Sequence, residues 1–80
     1  MKAKIHITLK NGVLDPQGRA IAGALNTMGF SEVADARQGK YIELVVSETD
    51  RTKAQAAVEK MCAGLLANTV IENYKFELVD

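Results

Sequence analysis

The sequence predicts an α+β domain in which two helices cover one face of an antiparallel sheet. Three observations carry this reading. Apolar and polar residues alternate near both ends of the chain and again in its middle, the period of strands with one covered face. Two intervening stretches switch to helical spacing. Short polar segments bearing glycine or proline punctuate the switches.

The first strand places Ala3, Ile5, Ile7 and Leu9 on one side and Lys2, Lys4, His6, Thr8 and Lys10 on the other. Asn11-Gly12 ends it. Asp15 is a helix N-cap, accepting from free N–H groups, and Pro16 suits the first helical position because it has no N–H to leave unpaired. Ala20, Ile21, Ala24, Leu25 and Met28 form the apolar stripe of that helix. Gly29 is a left-handed stop, with Phe30 placed to pack back on the helix end.

Ser31 to Arg37 predicts a weaker strand around Val33, Ala34 and Ala36, and Gln38-Gly39 a tight turn. Tyr41 to Val46 is the next strand, with Ile42, Leu44 and Val46 inward. Ser47 to Asp50 supplies N-cap candidates for a long helix marked by Ala54, Ala57, Val58, Met61, Leu65 and Leu66 and stopped at Asn68. The last strand turns Tyr74, Phe76 and Leu78 to one face and Lys75, Glu77 and Val79 to the other. The order strand, helix, strand, strand, helix, strand is the split pattern of ferredoxin-like βαββαβ folds. The open face then carries Lys2, Lys4, His6, Thr8, Tyr41, Glu43, Val45, Lys75 and Val79, a mixed surface of the kind that meets another subunit. Exchange of a strand between two chains gives the same sequence pattern.

Eighty residues make one domain, 1–80, with a small core that calls for added stabilisation. Cys62 is the only cysteine and His6 the only histidine, which excludes a disulfide and argues against a metal site. Self-association is the stabiliser that remains. Ten basic residues balance ten acidic ones, so nucleic acid and anionic membrane are not expected partners. With neither a signal-peptide pattern nor a membrane-length apolar run, the expected setting is the cytoplasm.

The reactive side chains have structural readings. Cys62 lies beside the second helix's apolar stripe, where a thiol packs as a small hydrophobe. His6 alternates with lysines on the open sheet face and suits solvent or an interface better than general-base work. Arg19 and Lys40 sit near a helix start and a turn, too few to define a phosphate site. The chain has no phosphate-loop, dinucleotide-binding or paired-histidine pattern. Acylphosphatase, a small enzyme of the same fold, uses an arginine in the loop after the first strand. Here the loop from Lys10 to Gln17 has none.

Three junction segments are more specific: Gly12-Val13-Leu14-Asp15-Pro16-Gln17-Gly18, Arg37-Gln38-Gly39-Lys40-Tyr41-Ile42-Glu43-Leu44, and Leu65-Leu66-Ala67-Asn68-Thr69-Val70-Ile71-Glu72-Asn73-Tyr74. In this order the chain resembles the PurS family, small subunits of phosphoribosylformylglycinamidine synthase. The resemblance spans essentially all 80 residues, with Gln38 and Thr69 where the family commonly has a small apolar residue and proline. It implies a non-catalytic subunit that joins a glutaminase, PurQ, to a synthetase, PurL, and itself forms a homodimer. The complex uses ATP, magnesium and glutamine to convert formylglycinamide ribonucleotide to formylglycinamidine ribonucleotide. No cofactor is expected on this chain.

The candidate partner interface comprises Asp15, Pro16, Gln17, Gly18, Arg37, Gly39, Lys40, Asn68 and Glu72. Within it, Gly18 is a poor helix former in a first turn, which favours a docking role for the segment over capping alone. Two other readings stay open. An ACT-like regulatory module shares the element order and binds small molecules beside the loop after its first strand. A minimal enzyme requires turnover by the isolated chain.

Overall fold

Alternation in the first strand translates directly into a central position. In the computed structural model, which describes residues 1–80, β1 (Lys2–Leu9) lies between β2 (Gly39–Val45) and β3 (Glu72–Val79), all antiparallel. The register pairs Ile5 with Ile42 and Phe76, so apolar residues of three strands share one face. Ala3, Ile5 and Ile7 are fully buried there, and Ile42, Leu44, Tyr74, Phe76 and Leu78 flank them.

One helix covers this face. α2 (Arg51–Met61) starts at Asp50, whose carboxylate accepts from Thr52 N–H at 2.9 Å and Lys53 N–H at 3.3 Å. Ala54, Val58 and Cys62 are fully buried, and Val58 and Cys62 join the sheet's core. The helix does not continue regularly to Leu66. A π turn, Cys62–Leu66, widens it, with Ala67 N–H reaching Cys62 O five residues back at 2.9 Å. The extra residue rotates the chain beyond it: Leu65, expected in the core stripe, is 83% exposed, while Ala67 is buried.

The other helix, α1 (Pro16–Thr27), contributes no residue to the core or its flank. Of the expected stripe, Ile21, Met28 and the alanines are exposed and Leu25 is half-buried. The Cα radius of gyration is 16.0 Å, against about 12 Å for a compact chain of this length. Strands of eight residues span about 26 Å and a twelve-residue helix about 18 Å. Laid end to end they account for most of the 49 Å long axis, so α1 projects beyond the end of the sheet as an arm.

The strand expected at Ser31–Arg37 does not form, and Gln38-Gly39 makes no hairpin turn, because Gly39 is already the first residue of β2. The physical reason lies along α1. Gly18, Ala22 and Asn26 recur every four residues and line up on one side of the helix. The returning chain lies against that side: Gly18 is buried, and Asn26 Nδ2 donates to Val33 O at 3.0 Å. The segment with only Val33, Ala34 and Ala36 as apolar content is held by α1 rather than by a strand edge. Gly29 adopts a left-handed φ of +104°, as expected of a helix stop, and Phe30 N–H donates to Leu25 O at 3.0 Å.

Candidate functional site

Strand direction alone gathers the three junction segments. β1 ends where β2 and β3 begin, and the register sets Thr8 opposite Gly39 and Leu9 opposite Glu72. The helix start, the 36–40 segment and the loop before β3 therefore meet at one end of the sheet.

Two carboxylates organise this end. Asp15 Oδ1 accepts from Gly18 N–H at 2.9 Å, the expected cap, and Oδ2 accepts from Gln38 N–H at 3.0 Å. The Gln38 and Gly18 amides hold its pKa below the usual aspartate value, with help from the Arg37 charge. Glu72 accepts from Asn68 N–H at 2.7 Å and pairs with Lys40 Nζ at 3.4 Å. The Asn68 amide first, and Lys40 second, lower the Glu72 pKa. Between the carboxylates lies a small hollow of about 210 Å³ lined by Asp15, Gln17, Gln38, Gly39, Lys40 and Glu72 over a floor of Ile7 and Leu9.

Gly39 is a steric requirement here, since a Cβ would collide with Ile7 O and lie 2.8 Å from Thr8 Cγ2. Arg37 reaches across to the end of β1, donating from Nη1 to Asn11 Oδ1 at 3.0 Å and from Nη2 to Leu9 O and to Lys10 O at 3.3 Å. Pro16, Gln17 and Asn68 remain exposed beside these contacts.

Gly18 is the exception among the candidates. It is buried, and a Cβ on it would run into Ala36 O and lie 2.7 Å from Asp15 Oδ2. The close backbone approach that its small size permits comes from its own chain.

The sequence reading missed an apolar rim. Leu14 is 64% exposed, and Leu65, Val70 and Ile71 are also exposed. Lys10 N–H donates to Ile71 O at 2.8 Å, which brings the loops carrying Leu14 and Val70 together. The available signal was apolar residues inside segments that also read as loops.

The reactive side chains stand apart from this end. The Cys62 thiol is buried, and burial followed by the nearby Glu59 charge pushes its pKa up, away from the thiolate. His6 is exposed on the open face with its ring 4.9 Å from that of Tyr41. No group of three or more His, Cys, Asp or Glu side chains is placed to hold a metal ion, and no helix is long and apolar enough to cross a membrane. The largest hollow, between α2 and β3, is lined by Arg51, Gln55, Glu59, Tyr74, Phe76 and Leu78. There Tyr74 donates to Glu59, which raises the phenol pKa.

Comparison with known proteins gives the chain its relatives. The profile of the family described as PurS, phosphoribosylformylglycinamidine (FGAM) synthase, matches residues 2–80. The phosphoribosylformylglycinamidine synthase subunit PurS of Bacillus subtilis is 49% identical over 77 residues, covering 96% of this chain and 90% of that protein. A crystal structure of B. subtilis PurS superposes with a TM-score of 0.87 at 48% identity, covering 99% and 98% of the two chains. A chain in the structure of PurLQS from Thermotoga maritima superposes at 0.88 with 33% identity, covering 98% and 95%. The chain belongs to the PurS family.

Proposed function

We propose that this PurS-family chain is the small, non-catalytic subunit of phosphoribosylformylglycinamidine synthase, joining a PurQ-type glutaminase to a PurL-type synthetase in the cytoplasm. The observation that carries the reading is the convergence of three junctions into one fixed surface, with Lys40 and Glu72 at its centre and Leu14, Leu65, Val70 and Ile71 around it. A polar centre ringed by exposed apolar side chains suits a protein partner. Asp15, Gln17, Arg37, Gly39 and Asn68 shape that surface, with Pro16 at its margin. ATP, magnesium and glutamine act on the partner subunits, and this chain binds none of them. An ACT-like ligand module is left without support by a family match that spans nearly the whole chain.

The division of labour follows from the transferred species. Ammonia escapes by diffusion and is mostly protonated in neutral water. The enzyme that releases it and the enzyme that consumes it must be held in fixed geometry, and that is an adaptor's task.

The adaptor is a homodimer in this reading. Only 8 of 80 residues are buried in the single chain, too few for a stable monomer of this size. Ile21 and Met28 on α1, continued by Phe30, form an exposed apolar surface open to a second copy.

The test is reconstitution of glutamine-dependent turnover from the chain and its two partner subunits. Leu14→Asp with Lys40→Glu changes two exposed positions, so the variant is expected to fold. Its apparent affinity for the partners should fall about tenfold or more. Unchanged affinity and full turnover would remove this end of the sheet as the docking surface.

A further inference from the structure

We propose that Arg37 is the positioning residue of the arm: its guanidinium fixes the angle at which α1 leaves the sheet. The inference builds on the reading of α1 as the element that meets a second copy. Only two segments join the arm to the sheet, residues 10–15 going out and residues 28–38 returning. The outgoing segment makes a turn, Val13 N–H donating to Lys10 O at 3.1 Å, with Gly12 at φ +87°, a conformation open to glycine. α1 packs on neither α2 nor the sheet's core, so nothing along its length fixes its direction.

What fixes it lies at the root. Arg37, on the returning segment, donates to Asn11 Oδ1, Leu9 O and Lys10 O, three acceptors around the end of β1. It makes none of the chain's three ion pairs. Its fork is spent entirely on neutral oxygen acceptors of the outgoing strand. Asp15 makes the reciprocal crossing, from the outgoing segment to Gln38 N–H. These crossings tie the two connections into one braced joint. Only a planar group with several donors in fixed directions reaches three such acceptors at once, and a lysine ammonium does not reproduce that geometry.

Spin labels at Thr27→Cys on the arm and Lys60→Cys on α2, in a Cys62→Ala background, read the angle as a distance distribution. Excess unlabelled chain removes signals between copies. The parent should give one narrow distance. Arg37→Ala should widen the distribution about twofold, as expected when the fork's hydrogen bonds no longer hold the two segments together, with Arg37→Lys in between. Hydrogen exchange of the β1 amides should stay unchanged, which separates a loosened joint from a loosened fold.

A second copy gripping the arm would mask the effect, so the series is repeated in Met28→Glu chains. Widening in either background supports the proposal, and an Arg37→Ala distribution as narrow as the parent's in both overturns it. Sedimentation of the Met28→Glu chain answers the separate question. If it remains dimeric, α1 is not the dimer contact, while the distance measurement still decides the role of Arg37.

Discussion

Gly18→Ala sets two quantities of similar size against each other inside one helix. In an exposed helix interior, alanine is favoured over glycine by about 1 kcal/mol. At position 18 the new Cβ meets Ala36 O well inside van der Waals contact and stands 2.7 Å from Asp15 Oδ2. The obstruction is backbone, which cannot swing aside as a side-chain tip does. Relief requires the 36–38 segment to lift off α1, and overpacking of this kind costs about 1–3 kcal/mol. The collision therefore cancels or outweighs the propensity, and the expected net effect is a loss of about 0–2 kcal/mol. Gly23 supplies the internal control, because nothing lies within 4 Å of a Cβ there and it points away from the Ile21 and Met28 stripe. Gly23→Ala should stabilise by about 0.5–1 kcal/mol. Urea melts of the two variants, compared at equal chain concentration, should rank Gly18→Ala below Gly23→Ala. A Gly18→Ala chain as stable as Gly23→Ala would refute the claim that α1 and the returning segment are in close contact.

Asp15→Asn should loosen the joint even though asparagine caps a helix as well as aspartate does. The two carboxylate oxygens serve different donors, Gly18 N–H and Gln38 N–H, and an amide has one oxygen. Faster exchange of the Gln38 amide is the expected readout. The pH dependence has a definite sign. Asp15 and Glu72 have lowered pKa values, so their contribution is complete above the ordinary carboxylate values of about 3.9 and 4.3. It is lost as pH falls through the lower folded values, and acid melts of Asp15→Asn should show a shallower slope. Leu65→Ala should change stability by less than about 0.5 kcal/mol, whereas Val58→Ala should cost about 1–3 kcal/mol, because the π turn puts Leu65 in solvent. Equal costs would contradict the shifted register. Cys62→Ala should cost about 1 kcal/mol in a urea melt and leave the reconstituted glutamine-dependent turnover intact, since the thiol is buried among apolar groups. Loss of turnover in a well-folded variant would contradict the packing role.

Period-two alternation was enough to find β1, β2 and β3 with their inward faces, because each buries one face against a single helix layer. Caps at Asp15 and Asp50 and the stop at Gly29 were legible for the same reason: each is local chemistry between neighbouring residues. What the sequence could not show was non-local. Ile21, Leu25 and Met28 read as a core stripe, and only the chain's path shows that they lie outside the core. Ser31–Arg37 was weak as a strand, and its real partner, the Gly18, Ala22 and Asn26 side of α1, appears only when small residues at four-residue spacing are read as a contact. The π turn has no signature in Cys62-Ala63-Gly64-Leu65-Leu66 that periodicity detects. Eight of the nine junction residues chosen for the interface remain accessible at one end of the sheet. Gly18 is crowded by Ala36 O, 18 residues further along the same chain, a contact that no local pattern announces.

The buried Gly18 bears on how the whole surface works. The feature that marks the first junction in the sequence serves the joint between arm and sheet, and the exposed residues beside it serve the outside. The two roles are coupled through shared atoms. Asp15 ties Gln38, and Gln38 precedes Gly39, whose close approach to Ile7 O starts β2 beside Lys40. Lys40 in turn pairs with Glu72 at the mouth of the hollow. A change in arm angle at Arg37 is therefore felt within three residues of the proposed docking centre. If a second copy grips the arm and the partner enzymes grip the rim, the braced joint is where dimer geometry and docking geometry meet. The consequence is a thermodynamic one: Arg37→Ala should weaken the effect of dimerisation on partner affinity more than it weakens either contact measured alone. A double-mutant cycle between Met28→Glu and Lys40→Glu, run with and without Arg37, measures that coupling. Additive effects in the Arg37-containing chain would mean that the two surfaces act independently.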